Sequence, residues 1–426
     1  MKKTVLYLLI FSILVLGCIP AMAQEEISVY LNNEKLVFDV APLVVKERVL
    51  VPMRLIFEKL GATVQWYPET NSATATMGHK RLSFSIGSPL MQNQWRTIEL
   101  DVPVMAKDGR TLVPLRAISE AFGSTVNWDG ESNSVIIYSE DFVDFSKEKP
   151  IQETVEVSDA TELLNAIGSN KRIILTKDYY NLSNAGEVNN DYVEKETNFE
   201  GSFSGQYTIK NVVNMEITGN AEIAIDEINS HVLYFKNCGK ITLSGLTVGH
   251  TEPADSYQCE GDVTRFDYCD TVNIENCNLY GCGAVGVYGL KAKNLLITNS
   301  KIYDCTFSGI WLTENSEAQV VKTEIFNCNL WSGFLRIDSS KIVLDNCNIH
   351  HITCDNQVTF VDTLSYADAP SEVIINNTVF ENNTFFDIAD SNTKISFNKC
   401  SFNYNNANIY IKDSIFSDCT LTLEKQ

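Results

Sequence analysis

The sequence predicts a mainly β protein in two parts: a small α+β domain built from a doubled repeat, then a long β-solenoid. Three observations predict this. The stretch RVLVPMRLIFEKLGATVQW, Arg48 to Trp66, returns as RTLVPLRAISEAFGSTVNW, Arg110 to Trp128, matching at 11 of 19 positions. A looser β-rich phrase recurs from about Tyr207 to the C-terminus at spacings of 22 to 31 residues. Between the two systems lies a charge-rich, weakly patterned stretch, Ser139 to Val157.

The chain opens on Lys2 and Lys3, an apolar run from Val5 to Leu16, and small residues. This reads as a secretory signal peptide, residues 1–23, too short to span a membrane. Ala21-Met22-Ala23 fits cleavage before Gln24, the favoured reading. The alternative is Val15-Leu16-Gly17-Cys18, which is similar to a lipobox and would place a lipid anchor on Cys18. Either route puts the mature chain outside the cytoplasm, secreted or attached to a bacterial surface. No later apolar run reaches the roughly 18 residues of a transmembrane helix. A net charge of −21 with no basic cluster argues against a nucleic acid partner.

In each copy of the first repeat, Val51-Pro52 or Val113-Pro114 opens a helix, because proline suits the first helical position. Gly61 and Gly123 close the helices, as glycine does just past a helix end. Met53, Ile56, Phe57 and Leu60 recur at helical spacing, as do Leu115, Ile118 and Phe122. Alternation at Thr63–Trp66 and Thr125–Trp128 then predicts strands with largely buried tryptophans. Arg54 and Arg116 are expected to pair with Glu58 and Glu120, four residues on.

This doubled pattern resembles the copper amine oxidase N-terminal-like domain over residues 26–138. The resemblance implies a stalk or attachment module. It does not imply an amine oxidase. That chemistry needs a tyrosine in a T-x-x-N-Y-[D/E] motif and a histidine copper site. Here Asn403-Tyr404 is followed by Asn405, and none of the five histidines forms a His-x-His pair.

The second part is expected over residues 158–426. Ser158-Asp159-Ala160-Thr161-Glu162 reads as a helix start, with Leu163, Leu164 and Ile167 on its apolar face. A helix before the first strand suits the cap of a solenoid, whose open end must be covered. In the recurring phrase Cys277, Ser300, Thr323, Cys347, Thr378 and Cys400 hold one equivalent position. Repeats of this length without helical period predict stacked coils about 4.8 Å apart in parallel pairing. Asn276, Asn299, Asn346 and Asn377 precede the small residue, and asparagine tolerates a left-handed turn. Lys322 and Lys399 interrupt that amide ladder. The pattern resembles the right-handed parallel β-helix of the pectate-lyase-like superfamily, a resemblance that carries fold and not function.

Of twelve cysteines, Cys282, Cys305 and Cys328 repeat at 23 residues. Parallel neighbours lie too far apart and point too much alike for a disulfide, so they read as stacked free thiols. The stretch from His250 to Val263 stretches the coil spacing and reads as an excursion loop of the kind that builds binding sites. A Cys259–Cys282 disulfide pinning this loop, a solvated acidic loop, a metal site drawing on His250, Glu260 and Asp262, and a Ca²⁺ site on its carboxylates all stay open.

Tyr288, Trp311 and Phe334 also fall at 23-residue spacing, with Thr313 on the same face. Ile310, Leu312, Leu335 and Ile337 have the opposite parity and should point inward. An outward aromatic strip with polar edges is suited to sugar rings. The alternative is an inverted parity that buries all three. Arg265 with Asp267, or Arg336 with Asp338, are catalytic candidates for a polysaccharide lyase or glycoside hydrolase. The polygalacturonase-type signatures are missing: there is no Asp-Asp pair, and Gly249-His250 is followed by Thr251. The favoured function is therefore a non-catalytic protein binding a polysaccharide, a cell-surface glycan or another surface partner. A polysaccharide lyase or glycoside hydrolase and a structural spacer or adhesin are the alternatives.

Overall fold

The computed structural model describes residues 27–78, 80–93, 95–196, 205–251, 261–281, 285–330, 332–354, 359–362, 370–385, 387–389, 393–403, 406–407 and 415–422. The expected signal peptide and Cys18 lie outside the described residues. The chain divides into two compact units, Met1–Glu140 and Asp141–Gln426.

In the first unit both copies of the repeat fold alike. Strand Arg48–Pro52, helix Met53–Lys59 and strand Thr63–Tyr67 are matched by Arg110–Pro114, Leu115–Ala121 and Thr125–Asp129. Pro52 and Pro114 stand one residue earlier than expected, as the last strand residue and helix cap, with ψ of 119° and 111°. Fixed φ suits an extended residue as well as a helical one. Gly61 and Gly123 follow the helices at φ +87° and +91°, a conformation costly for residues with a Cβ. Arg116 lies 3.8 Å from Glu120; among the described residues Arg54 makes no such pair.

The copies grip each other reciprocally. Val51 pairs with Val113 across an antiparallel ladder. Arg48 meets Asp101 and Arg110 meets Asp39, each at 2.6 Å. The first strand, Ser28–Leu31, joins the last, Ser134–Tyr138, in parallel. Phe57 and Phe122 meet edge to face at 5.6 Å in the shared core. Burial of the two tryptophans was expected in both copies. Trp66 packs on the core, but Trp128 is 48% exposed.

The second unit is a parallel β-helix. Among the described residues its largest sheet runs through 19 strands, from Glu153–Val157 to Thr420–Thr422. The strand Glu153–Val157 falls inside the stretch read as a linker. Val143 and Phe145 of that stretch lie against Gly239, where a Cβ would collide with them. Helix Ala160–Ala166 is capped by Asp159, which accepts from the Glu162 N–H at 2.9 Å, while Glu162 accepts from the Ser158 N–H at 2.7 Å. This reciprocal box satisfies amides that a helix start leaves open. Leu163 and Leu164 join the first coils' core.

Inside the coils, Ile241, Val272, Leu295, Ala318, Ile342 and Val373 stack in register and are buried. Burying each larger aliphatic contributes about 1.5–3 kcal/mol. The corners depend on left-handed residues. Asn276, Asn299, Lys322, Asn346, Asn377, Lys399 and Asp418 all have φ between 49° and 54°. Their N–H groups donate to the next coil, as from Asn299 to Val321 at 3.1 Å and Lys322 to Asp345 at 3.0 Å. The two lysines break the run of amide side chains but keep its backbone. The small residues that follow complete the corner: Ser300 Oγ accepts from the Cys277 N–H at 3.1 Å, and Thr378 Oγ1 from Cys347 at 3.3 Å.

Cys305 and Cys328 are buried on adjacent coils. Cys282 and Cys259, and with them the proposed disulfide, lie outside the described residues. Left-handed backbone costs an ordinary residue roughly 1–2 kcal/mol, and asparagine less. Lys322→Asn is therefore expected to raise stability by about 0.5–1 kcal/mol and Asn299→Val to lower it by about 1–2 kcal/mol, measured by urea unfolding. Equal midpoints would show that the corner does not limit stability.

Candidate functional site

A second sheet of nine strands forms another face of the β-helix. Strands Leu233–Lys236, Thr264–Asp267, Val285–Leu290, Ser308–Thr313, Leu335–Ile337 and Thr359–Asp362 lie side by side in it. Their register aligns Tyr234, Arg265, Tyr288, Trp311, Arg336 and Asp362 as direct partners. Alternation puts Phe235, Phe266, Val287, Ile310, Leu312, Leu335 and Ile337 inside. The row residues therefore stand on the outer face, and Tyr234, Arg265, Tyr288, Trp311 and Arg336 are half-buried there.

Rings and guanidiniums interleave along this row. Arg265 lies 5.4 Å from the Tyr234 ring and 4.1 Å from the Tyr288 ring. Tyr288 meets Trp311 edge to face at 5.1 Å. Arg336 covers Trp311 at 4.4 Å. Cation–ring contacts of this kind contribute about 0.5–2 kcal/mol, more as water is excluded.

Carboxylates hold the row from the side. Asp267 accepts from Arg265 Nε at 3.0 Å, from its Nη2 at 3.2 Å and from the Tyr234 hydroxyl at 2.7 Å. Asp262 lies 3.4 Å from Arg265 Nη1. Asp338 accepts from Trp311 Nε1 at 2.9 Å. Ser332 accepts from Arg336 at 3.2 Å and donates to Asp362 at 3.3 Å. Burial pushes the Asp262 carboxyl up to about 7 against the pull of Arg265. Burial also raises Asp267. Burial opposes the Arg265 charge, but Asp267 and Asp262 outweigh it and hold the guanidinium protonated. His231 is driven down to about 3, chiefly by burial and then by Arg265, and is neutral. Its Nδ1 accepts from the Asp262 N–H at 2.9 Å.

The structure thus brings together Arg265, Asp267, Tyr288, Trp311, Arg336 and Asp338 on one face, with Thr313 half-buried at its edge. Phe334 does not belong to it. Trp311 and Arg336 are 25 residues apart in register, not 23. Phe334 falls two residues short of the row, level with Gly309, and is fully buried, stacking on Phe360 at 4.9 Å. His250 stands apart from this face as well. It is buried, with Nε2 donating to the Ser230 carbonyl at 2.8 Å. Glu260 lies outside the described residues, and Asp262 faces Arg265. Among the described residues no group of three or more His, Cys, Asp or Glu side chains is gathered as a metal site. Tyr234, His231, Ser332 and Asp362 escaped the sequence reading. The 31-residue step from Tyr234 to Arg265 hides the first two from a 23-residue count.

The sign of the pH dependence follows from Asp262. Its folded value is raised from 3.8, so the folded chain keeps a proton the unfolded chain has lost, and stability falls as pH rises from about 4 to about 7. His231 acts oppositely, losing stability as pH falls from 6.5 towards 3. The difference between Asp262→Asn and the parent isolates the first effect. The variant is expected to gain on the parent between pH 4 and pH 7 by up to about 1.4 kcal/mol per pH unit and to level off above pH 7, read from urea unfolding. A constant difference would contradict the assignment.

Known proteins match at the level of fold. Residues 30–137 match the family model of the copper amine oxidase N-terminal domain. Residues 202–366 and 265–421 match that of the right handed beta helix region. No curated protein matches the chain. An alginate lyase from Paenibacillus sp. str. FPU-7 is 12% identical, with 63% of this chain and 99% of that chain covered and a TM-score of 0.40. Pectate lyase Pel9A is 9% identical, covering 63% and 80% at a TM-score of 0.36. PfbA, a surface adhesin of Streptococcus pneumoniae, is 10% identical, covering 62% and 85% at 0.27. The two β-helix matches together span more than half of the 426 residues, and the chain belongs to the right-handed β-helix family.

Proposed function

We propose that the β-helix binds a polysaccharide or cell-surface glycan along the Tyr234–Asp362 face, and that the protein is a secreted or surface-attached, non-catalytic binder. The observation that carries this reading is the row itself. Five aromatic and guanidinium side chains on consecutive coils are each fixed by a carboxylate or a neighbouring row member. Such residues offer apolar edges and donors with little rotamer entropy left to lose on binding. Among the described residues no helix is long and apolar enough to cross a membrane.

The non-catalytic part rests on how Arg265 is held. A lyase base must give up its proton, and a guanidinium bonded to Asp267 and facing Asp262 is held charged. One observation favours the second reading, a polysaccharide lyase or glycoside hydrolase. The Asp262 carboxyl, raised to about 7, has the property a general acid needs.

A glycan array with the full chain, with and without Ca²⁺, tests the first reading. Binding is expected to weaken at least tenfold in Trp311→Ala, while ultraviolet assays for unsaturated products and reducing-end assays stay flat. Product formation abolished by Asp262→Asn or Arg265→Gln would hand the site to the enzyme reading. No binding to any glycan would leave a structural spacer.

A further inference from the structure

We propose that the first unit carries a saccharide site of its own, a groove at Trp128 that takes a neutral polyhydroxylated ring. The inference is independent of the β-helix face. The groove encloses about 820 Å³ beside helix Leu115–Ala121, within the usual range for small-ligand sites. Leu115, Ala117, Ala121 and Val126 form its apolar floor, and the Trp128 indole stands 48% exposed at its edge.

The first repeat supplies an internal control, because each position has its counterpart 62 residues earlier. There Lys59 pairs with Glu34 at 2.9 Å, and Leu55 and Trp66 pack on the core. In the second repeat Ala121 replaces Lys59, Arg96 replaces Glu34 and Ala117 replaces Leu55. The two shorter side chains remove the lid, and Arg96 makes no ion pair among the described residues. The same element therefore carries a surface ion pair beside a core-packed tryptophan in one copy and shorter side chains beside an exposed tryptophan in the other, and these three positions are among those that differ.

The lining selects the ligand class. Arg48 and Arg116 are engaged with Asp101 and Glu120. Arg96 faces a rim that also holds Glu47 and Glu99. Three cations against four carboxylates give no preference for a charged ligand. What remains is one exposed indole, an aliphatic floor, and planar donors and acceptors from Asn93, Asn127 and Asn133. Flat apolar faces edged by many hydroxyls fit that set; a charged chain or an extended apolar peptide does not.

The test titrates the full chain with chitohexaose and cellohexaose, following calorimetry and tryptophan fluorescence, with trigalacturonate and an uncharged hexapeptide as competitors. At least one neutral hexasaccharide is expected to bind. The double variant Arg96→Glu with Ala121→Lys, which rebuilds the first repeat's lid, should weaken it at least tenfold. Trp128→Ala should weaken it comparably, and Trp311→Ala should leave it unchanged. Circular dichroism melting within a few degrees of the parent keeps the variants comparable. The proposal is overturned if neither hexasaccharide binds, if the double variant binds like the parent, or if trigalacturonate or the hexapeptide displaces the bound sugar.

Discussion

The β-helix depends on a corner that turns in one left-handed residue while its N–H still reaches the coil above. Asn276, Asn299, Lys322, Asn346, Asn377 and Lys399 meet this need in one corner. Asn237, Tyr268 and Lys291 meet it in another, at φ of 50–56°. Strand pairing alone would leave the corner amides without partners, each at a cost of about 1–3 kcal/mol if buried. A corner that hydrogen-bonds upward lets every strand keep its register, and register is what lines up side chains from distant parts of the sequence.

The candidate face is a direct product of that register. Tyr234, Arg265, Tyr288, Trp311 and Arg336 are 23 to 31 residues apart in sequence yet direct neighbours in space. Extra residues between strands are absorbed outside the ladder, because paired strands tolerate no slip without reversing inside and outside. Phe334 shows the rule. With the coil lengthened by two residues, parity is kept, Leu335 and Ile337 stay inside, and the outward place beside Trp311 passes to Arg336. The alternation holds for Leu335, Arg336 and Ile337 but stops at Phe334, which shares the parity of Arg336 and is nonetheless buried next to Leu335.

The same contrast marks what was legible in the sequence. The two helices with their closing glycines, the inward aliphatics and the corner asparagines are local patterns with a fixed period, and each is found where its pattern implies. The site needed more. Whether Trp311 meets Phe334 or Arg336 depends on coil length. Whether Asp262 is a ligand or a partner of Arg265 depends on which way a residue at the loop's end turns. Trp66 and Trp128 share one motif and differ in exposure, and the positions beside them that differ between the copies, such as Leu55 against Ala117 and Lys59 against Ala121, lie outside the shared letters of the repeat.

A stacked solenoid also explains why this face stands apart from other outward columns. Each outward position has neighbours of the same position above and below, so a column must be compatible with itself. One solution is like on like: Tyr280, Tyr303, Phe326 and His350 stack, with successive ring centroids 5.9, 4.9 and 5.1 Å apart, and their faces are used up on each other. A second is alternation of sign: Glu317, Lys341, Glu372 and Lys394 follow one another in register, which removes the repulsion that like charges about 4.8 Å apart would suffer. The Tyr234–Asp362 row follows neither. It mixes rings with guanidiniums and draws Asp262, Asp267 and Asp338 from neighbouring positions to balance them. Balancing charge with buried carboxylates costs desolvation that a plain aromatic or alternating column avoids. A solenoid has no structural need for that cost; the proposed ligand-binding role of this face would supply one.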